Sequence, residues 1–299
     1  MSYGTSSGER RGGLKLWPIL IGLAVIGFTA LKGCQEGPFG RHQIVAIGPQ
    51  EEAALGAQSF SEVLKTSDVV SGGPVVEAVR RLASQLAAAS ELPEVLKEMQ
   101  LQRQEFDWDA RVVRDKQINA FCLPGGKIVV YTGIIPVART ESALAAVMGH
   151  EISHALAHHG AERMAQQRLV QIGQLAVAGS VSDMDPAQRQ GIMVALGAGS
   201  KFGILLPFSR KHESEADRMG LILMAAAGYD PKESVVFWQR MEKKASGGKS
   251  PEFASTHPSH EHRVRDLQNW QKEAAPFFEH VQDQPDGNIR LPSGKTRER

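Results

Sequence analysis

The stretch His150-Glu151-Ile152-Ser153-His154 is an H-E-x-x-H motif within a segment that has the apolar spacing of a helix. At about 100° per residue, the two histidines lie on one helix face, one turn apart. Their ring nitrogens can therefore reach one zinc ion at about 2.0–2.1 Å. Glu151 points to the side of that ion, where a carboxylate can take a proton from water and return it to a leaving amine. The motif predicts a zinc site with His150 and His154 as ligands and Glu151 as general base.

A third metal ligand has to come from outside this motif. His158 continues the i, i+4 series, but in a continuous helix it lies about 12 Å along the axis from His150. The metzincin pattern does not apply, because Gly160 stands where that pattern has its third histidine. His158 and His159 are therefore interpreted as surface residues or as residues behind the ligands.

A second acidic segment, Glu213-Ser214-Glu215-Ala216-Asp217, supplies better candidates for the third ligand. Glu213 and Asp217 are one helical turn apart on one face, so one carboxylate can bind the metal while the other holds a ligating histidine. Glu215 points about 160° away from Glu213, so only one of the two can face the metal, and substitution of Glu215 should cost little if its side chain is solvated. The alternative interpretation of the segment is a solvated acidic helix face.

The N-terminal segment predicts a membrane anchor. Leu16 to Leu31 is an uncharged run, and the lysine at each end can extend it toward the about 17–25 residues that a span needs. Residues 14–33 are thus predicted to form an uncleaved transmembrane helix, with residues 1–13 as a short cytoplasmic N-terminus. Because two arginines precede the run, the bulk of the chain is expected outside the cytoplasm, on the periplasmic side.

Two alternatives to this anchor remain open. Leu31-Lys32-Gly33-Cys34 partly resembles a lipoprotein cleavage box, although Lys32 stands where a small residue is expected. Lipidation at Cys34 would then attach the chain. The other alternative is a buried helix of a soluble domain.

The remaining sequence predicts one domain of mainly α structure with a small β-sheet, an α+β fold. Residues 34–50 are rich in glycine and proline and are expected to be a linker. Residues 51–272 are long enough for one domain with a real core. Residues 273–299 are expected to be a polar tail.

Turn and capping residues predict where individual elements begin and end. Pro124-Gly125-Gly126 suits a type II turn and predicts a hairpin between two β-type runs. Thr140 is expected to cap the helix of the H-E-x-x-H motif, and Gly160 is expected to end it.

Composition excludes other classes of protein. The 34 basic and 33 acidic residues leave a net charge of +1, so there is no electrostatic footprint for nucleic acid. The two cysteines, Cys34 and Cys122, form no C-x-x-C pair, so neither a cysteine zinc site nor a disulfide framework is expected.

Four segments carry a resemblance to a known family. HEISHALAHH, LPFSRKHESEADRMGL, FWQRME and STHPSHEHRVRDLQ resemble the gluzincin zinc endopeptidases of the HtpX, BepA and CAAX-prenyl-protease type. They are most similar to the mitochondrial branch whose activity overlaps that of the m-AAA protease, and to its bacterial relatives. The resemblance extends from roughly Glu51 to Trp270. It implies a zincin-type metalloprotease domain behind the anchor, with one Zn²⁺ per chain.

The resemblance also implies roles for individual residues. In that family the first Glu of E-x-E-A-D, here Glu213, is the third ligand, and its Asp, here Asp217, supports a ligating histidine. A late His-Pro, here His257-Pro258, supplies a catalytic histidine that stabilises the oxyanion or occupies the open zinc position in a latent state. Arg263 matches the arginine that accompanies this histidine, and it is expected either to support the ligands from behind or to help carry the oxyanion charge.

Asn119-Ala120-Phe121 matches a strand that precedes the active-site helix in the family. Such a strand can pair with an extended substrate. The alternative is an ordinary hairpin that is buried by its apolar side chains.

These observations predict a membrane-anchored metalloendopeptidase of protein quality control. Its expected partners are the lipid bilayer and unfolded or misfolded membrane and envelope proteins, in which it would hydrolyse peptide bonds. The alternative is a zinc-containing, membrane-bound chaperone or assembly factor with latent protease activity.

Overall fold

A computed structural model describes residues 14–246, 251–257 and 262–283 of the chain. Their internal contacts divide them into two units. We call residues 36–43, 47–161 and those from 210 onward the mixed unit, because they include helices and a sheet. Residues 14–35, 44–46 and 162–209 are called the helical unit.

Helices account for most of the described residues. They are α1 (Trp17–Gly33), α2 (Pro49–Thr66), α3 (Pro74–Ser90), α4 (Pro93–Met99), α5 (Ile135–Ala138), α6 (Glu141–Leu156), α7 (His159–Ser180), α8 (Pro186–Ser200), α9 (Leu206–Ala226), α10 (Lys232–Ala245), α11 (Glu252–Thr256) and α12 (Arg263–Gln282). A π-helical turn, Lys201–Leu205, connects α8 to α9. The strands are β1 (Cys34–Glu36), β2 (His42–Ile44), β3 (Val69–Val70), β4 (Asp109–Val113), β5 (Ala120–Leu123) and β6 (Lys127–Tyr131). The predicted fold class, mainly α with a small sheet, is confirmed.

The sheet of the mixed unit has the strand order β3-β4-β6-β5. β4 and β6 are parallel, whereas β3 and β5 run antiparallel to their neighbours. β5 and β6 form the predicted hairpin, in which Gly125 has a φ of 77°. That angle is typical of the third position of a type II turn, and glycine adopts it without strain. The hairpin leaves β5 at the edge of the sheet.

The two faces of this sheet pack against different helices. On one face, Ile128 and Val130 belong to the main core together with Met148 and Ile152 of α6. On the other face, Phe60 of α2 lies in a smaller apolar cluster with strand residues of β4 and β6. Because α6 lies against β5, the edge strand runs beside the helix that carries the H-E-x-x-H motif.

α6 begins as predicted but ends earlier. The Thr140 hydroxyl accepts a backbone N–H of the first turn at 3.1 Å, which confirms the cap. The helix ends at Leu156, so the predicted stop at Gly160 is wrong. His158, and not Gly160, takes the left-handed conformation that follows the helix, with a φ of 55°. Its Nδ1 lies 2.7 Å from a Glu52 oxygen. The side-chain contact stabilises a turn that sequence alone assigns to glycine.

The domain boundaries also differ from those predicted. α12 continues to Gln282 and buries Ala274, so residues 273–282 are helix and not loose tail. Apolar residues on one side of the helix pack against the core and extend it. Residues 162–209 belong to the helical unit with α1, although the sequence placed them in one domain over 51–272. The predicted N-terminus, 1–13, and the rest of the predicted tail, 284–299, lie outside the described residues.

Two long apolar segments lie wholly or partly in the helical unit. α1 falls within the predicted anchor at 14–33. By length and composition, the helical stretch Pro186–Ala226 is also apolar enough to cross a membrane. The sequence analysis did not anticipate this second segment, because its glycines and a single lysine interrupt the apolar run.

Two glycines bring the helices with the predicted metal ligands into direct backbone contact. A Cβ on Gly149 of α6 would lie 3.0 Å from the Gly220 carbonyl oxygen of α9. A Cβ on Gly220 would lie 2.9 Å from the His150 backbone nitrogen. Neither neighbour is a flexible side-chain end, so the helices reach this separation only with glycine at the crossing.

We expect Gly220→Ala to destabilise the mixed unit by about 1–3 kcal/mol, as for other overpacked cores, and to weaken metal binding. The matched control is Gly160→Ala, at a helix position with no atom within 4 Å of the added Cβ. That change should be neutral or stabilising by about 0.4–1 kcal/mol. Urea unfolding of both variants measures the difference, and equal stabilities would show that the helix crossing does not require glycine.

Candidate metal centre

Four side chains from three parts of the mixed unit meet at one point. They are His150 and His154 of α6, Glu213 of α9 and His257 after α11, and one potential ligand atom from each lies within 4.8 Å of the others. The sequence motifs named all four, but only the tertiary structure brings them together.

The first three side chains have the spacing of a tetrahedral metal site. The Nε2 atoms of His150 and His154 are 3.1 Å apart. The Glu213 oxygens lie 3.3 Å from the first of these nitrogens and 3.6 Å from the second. Ligand atoms around a tetrahedral zinc ion with bonds of about 2.0–2.1 Å are about 3.3–3.4 Å apart. Two imidazoles and a carboxylate are also a donor set used by catalytic zinc, so these residues fit that metal.

The charge on Glu213 supports the same assignment. The residue is 0% exposed. Burial by itself raises the pKa of a carboxyl group, but hydrogen bonds with His150 and His257 outweigh it and hold the pKa of Glu213 well below its usual range. A permanently charged, fully buried carboxylate is costly unless cations surround it, and a divalent ion meets that requirement.

His150 is oriented from behind by Asp217. Its Nδ1 lies 2.9 Å from an Asp217 oxygen, so the N–H there donates to the carboxylate and Nε2 faces the ligand cluster. Arg263 donates to the same Asp217 oxygen at 2.6 Å. The Arg263 guanidinium is fully buried and lies over the Trp238 ring, 3.3 Å from its centroid. Arg263 is thus engaged behind the ligands, which favours its predicted supporting role over an oxyanion role.

The proton on His150 competes with a metal ion. Burial opposes protonation of the ring, but Asp217 and Glu213 outweigh it and raise the pKa of His150 to about 9. Because a ligating imidazole must be neutral, metal binding at neutral pH releases this proton.

His154 is oriented by a chain of contacts that sequence reasoning missed. Its Nδ1 lies 2.8 Å from Nδ1 of His159, whose Nε2 lies 2.8 Å from a Glu215 oxygen. Arg41 donates to both Glu215 oxygens, each at 2.9 Å from one guanidinium nitrogen. The Glu215 side chain is only 8% exposed, so the solvated case does not apply, because the helix face opposite Glu213 packs against another part of the mixed unit. No sequence spacing relates Arg41 to Glu215.

His159 is buried and neutral. Burial lowers its pKa to about 4, although the Glu215 carboxylate acts in the opposite direction. The His212 ring stacks on the His159 ring with centroids 4.2 Å apart. The adjacent His158, in contrast, points away to Glu52.

His257 stands at the fourth side of the cluster. Its Nδ1 lies 3.2 Å from His150 Nε2 and 3.1 Å from a Glu213 oxygen. Its carbonyl oxygen accepts from Arg263 Nη1 at 3.1 Å. The neighbouring Pro258 lies outside the described residues. With its ring in this place, His257 can act as a fourth metal ligand.

Glu151 lies beside the cluster with one oxygen free for a ligand. The residue is 2% exposed. Among the described residues, Oε1 has no hydrogen-bond partner, and the His257 Nε2 atom lies 3.4 Å from it. Burial raises the pKa of this carboxyl group. A buried carboxylate with an unsatisfied oxygen beside the metal ligands is well placed to hold a water molecule.

The predicted substrate strand lies at the sheet edge. Phe121 packs toward the small apolar cluster and lies 6.0 Å from the Tyr131 ring. Ala120 belongs to the main core. The Asn119 side-chain oxygen accepts the Ala120 N–H at 3.0 Å. These contacts hold β5 in place, and no other described strand pairs with its outer edge.

Comparison with known proteins agrees with this geometry. The profile of peptidase family M48 matches residues 82–271. The chain belongs to peptidase family M48. The predicted family and its peptidase class are thereby confirmed. Membership of this family implies a metal cofactor.

Individual relatives of this M48 peptidase have two kinds of name. The mitochondrial metalloendopeptidase OMA1 of Schizosaccharomyces pombe is 42% identical over 171 residues, which are 57% of this chain and 48% of the relative. The human metalloendopeptidase OMA1 is 35% identical over 54% of this chain and 32% of the relative. The β-barrel assembly-enhancing protease of Yersinia pestis is 36% identical over 53% of this chain and 33% of the relative. The match thus spans about a third to a half of each relative.

We expect Glu213→Gln to abolish high-affinity zinc binding, because a neutral amide replaces the only carboxylate ligand. His154→Ala should do the same, while Glu62→Gln, on an exposed face of α2, should leave one zinc per chain. Metal analysis after dialysis measures the zinc content. Full zinc in Glu213→Gln would contradict the ligand assignment.

Proposed function

We propose that the chain is a membrane-anchored zinc endopeptidase that hydrolyses peptide bonds in unfolded or flexible segments of membrane and envelope proteins. The observation that carries the proposal is the Glu151 carboxylate beside two histidines and a buried glutamate with the spacing of a zinc site. Membership of peptidase family M48 supports it.

The residues of the site divide the chemistry among them. A bound zinc ion would polarise the scissile carbonyl and acidify a water molecule. Glu151 accepts the proton of that water at Oε1 and later returns it to the leaving nitrogen. Its raised pKa favours this exchange, because the group then binds the proton more readily than a solvated glutamate.

His257 can close the metal site or stabilise the oxyanion, and each role requires a different position of its ring. Where it stands, the ring contacts Glu213 and His150 and would close the fourth ligand position, as in a latent enzyme. Displaced from the ligands by substrate, the same ring can donate a hydrogen bond to the developing oxyanion. Entry of substrate would therefore require His257 to move.

The edge strand β5 is the proposed substrate platform. Main-chain groups on its outer edge can pair with an extended peptide, and β5 lies beside α6. Asn119, Ala120 and Phe121 would thus place the scissile bond near Glu151. This mode suits unfolded segments, because only an extended chain can add a strand.

The membrane attachment and the substrate class are part of the proposal. α1 would anchor the chain with the mixed unit on the periplasmic side, and lipidation of Cys34 is the alternative. Cys34 is exposed at the end of α1, where either form of attachment is accessible. The name of the Yersinia pestis relative supports a role in the bacterial envelope, and quality control of its proteins fits both groups of relatives.

The second candidate is a zinc-containing chaperone or assembly factor with latent protease activity. The place of His257 among the ligands favours it, because a closed metal site cannot activate water. Both candidates share the same zinc residues, so turnover is the property that separates them.

We expect the purified full chain to cleave casein or a misfolded membrane protein, and a chelator to stop the cleavage. Glu151→Gln should keep its zinc and fold but lose about 10²–10⁴-fold in rate, because the proton carrier is gone. Glu52→Gln is the matched control, since Glu52 is a buried carboxylate outside the ligand cluster. Cleavage by Glu151→Gln at the control rate would refute the assignment. If the wild-type chain binds casein without cleaving it, and the chelator does not change this binding, the result would support the chaperone.

A further inference from the structure

We infer that α7 and α8 form a second membrane-inserted element, a helical hairpin that crosses the bilayer beside α1. The inference rests on the proposed anchoring by α1. It differs from that proposal because it gives the chain three apolar helices in the membrane, with the sequence between the H-E-x-x-H motif and Glu213 looping through the lipid.

The apolar surface of the hairpin is exposed to its surroundings. Leu175 of α7 is 65% exposed, Val194 of α8 is 67% exposed and Phe202 of the π turn is 66% exposed. Only 6% of the apolar window in this stretch is buried. Exposed apolar patches of this kind are rare on surfaces that face water.

The stretch between Arg189 and Arg210 is almost free of charge. Between Arg189 and Arg210 the only charged residue is Lys201, so 20 residues carry one charge. At a rise of 1.5 Å per residue this run is about 30 Å long, the thickness of the hydrocarbon layer. Lys201 lies near the middle of the run and is exposed, so its flexible stem would have to extend the amine toward the interface.

Small residues pack α7 directly on α1. A Cβ on Gly22 of α1 would lie 2.6 Å from the Ala176 side chain of α7, and a Cβ on Gly179 would lie 3.3 Å from Pro18. Close packing at glycine and alanine is the usual contact between helices in lipid. The exposed face of the hairpin is therefore continuous with that of the proposed anchor.

The turn of the hairpin lies at the N-terminal end of α1. Lys15 donates to an Asp183 oxygen at 2.8 Å, and its backbone N–H donates to the Ser180 carbonyl at 2.9 Å. If α1 crosses the membrane, the turn at Ser182 therefore lies on the same side of the bilayer as Lys15. That is the side opposite to the C-terminal end of α1. The bilayer is thus the occupant that accounts for the exposed apolar surface, the length of the run and the packing on α1 together.

Single cysteines in the full chain test this topology. In a Cys34→Ser, Cys122→Ala background, Val194→Cys is compared with Val75→Cys, an exposed valine on α3 of the mixed unit. In sealed vesicles that label at position 75 with an impermeant maleimide, position 194 should not label. A cysteine at Ser182 should label only after the vesicles are opened.

A bimane fluorophore on the cysteine identifies what covers position 194. Nitroxides on the lipid acyl chains should quench it at position 194 and not at position 75. Labelling of position 194 in sealed vesicles would overturn the hairpin, and so would shielding without quenching, since protein would then cover the face. Release of the chain by Cys34→Ser alone would refute the α1 anchor, and the inserted hairpin with it. Casein cleavage in the same vesicles reports the catalytic proposal separately.

A second, independent observation concerns His154. We propose that His159 and Glu215 are positioning residues for this ligand, equivalent to Asp217 behind His150. The proposal rests on the zinc site proposed above. It adds that contacts behind His154, made by His159 and Glu215, orient this ligand.

The hydrogen-bond directions are consistent along the whole chain of contacts. With Nε2 of His154 turned to the metal, its Nδ1 carries the proton and donates to Nδ1 of His159. His159 then carries its own proton on Nε2 and donates to Glu215. Arg41 donates to Glu215 with two nitrogens, which fixes the carboxylate. Each donor has one acceptor, so the chain holds one tautomer and one orientation of the His154 ring.

Substitutions at His159 separate positioning from packing. His159→Phe keeps a ring to stack on His212 but removes the acceptor, and zinc affinity should fall about 10–100-fold in chelator competition. His159→Asn loses the stacking but keeps an oxygen near the Nδ1 position, and it should retain more of the affinity. His158→Gly is the control: it removes the neighbouring ring but adopts the left-handed backbone without strain, and it should bind zinc normally. The reverse order, with Phe better than Asn, would assign His159 a packing role only. A wild-type chain without zinc would instead refute the metal site.

Discussion

The backbones of α6 and α9 touch at Gly149 and Gly220, and the metal centre depends on this contact. α6 carries the two proposed histidine ligands and α9 carries the proposed carboxylate ligand. Ligand atoms must lie about 3.3–3.4 Å apart for one zinc ion, and side chains of fixed length achieve this only at one helix separation. The glycines allow that separation, and the core below the sheet holds the helices at it.

Charge is the second constraint on this site, because the carboxylates of Glu213 and Asp217 are buried and that of Glu215 is only 8% exposed. An isolated buried carboxylate costs several kcal/mol, but each of these faces positive or hydrogen-bonding groups. Asp217 faces Arg263, Glu215 faces Arg41, and Glu213 faces the ligand histidines. The two arginines therefore lie behind different histidine ligands, and the metal position has a rigid support on both sides.

The two units divide the tasks of the protein. The mixed unit has a conventional core and places the edge strand β5, the metal ligands and Glu151 in one region. The helical unit buries little of its apolar surface and has small residues where its helices touch. Such a unit is poorly suited to water and well suited to lipid, in keeping with the membrane attachment proposed above.

The sequence by itself determined the chemistry of the site and the main elements. His150, Glu151 and His154 follow from helical periodicity, and the Thr140 cap and the Pro124-Gly125-Gly126 turn follow from local backbone preferences. These features depend on residues within a few positions of one another, so their pattern is visible in the chain. Helical spacing made Glu213 and Asp217 candidates beside the alternative of a solvated acidic face, and resemblance to the family selected them and added His257 and Arg263.

Only the tertiary structure decided which side chains stand behind the ligands. Arg41 and Glu215 are 174 positions apart, and their contact depends on how distant segments pack. The end of α6 at Leu156 was missed because a contact with Glu52 holds His158 in a left-handed conformation. The grouping of residues 162–209 with α1 also depends on tertiary structure. Helices pack with partners of complementary surface shape, and that shape exists only after the chain has folded.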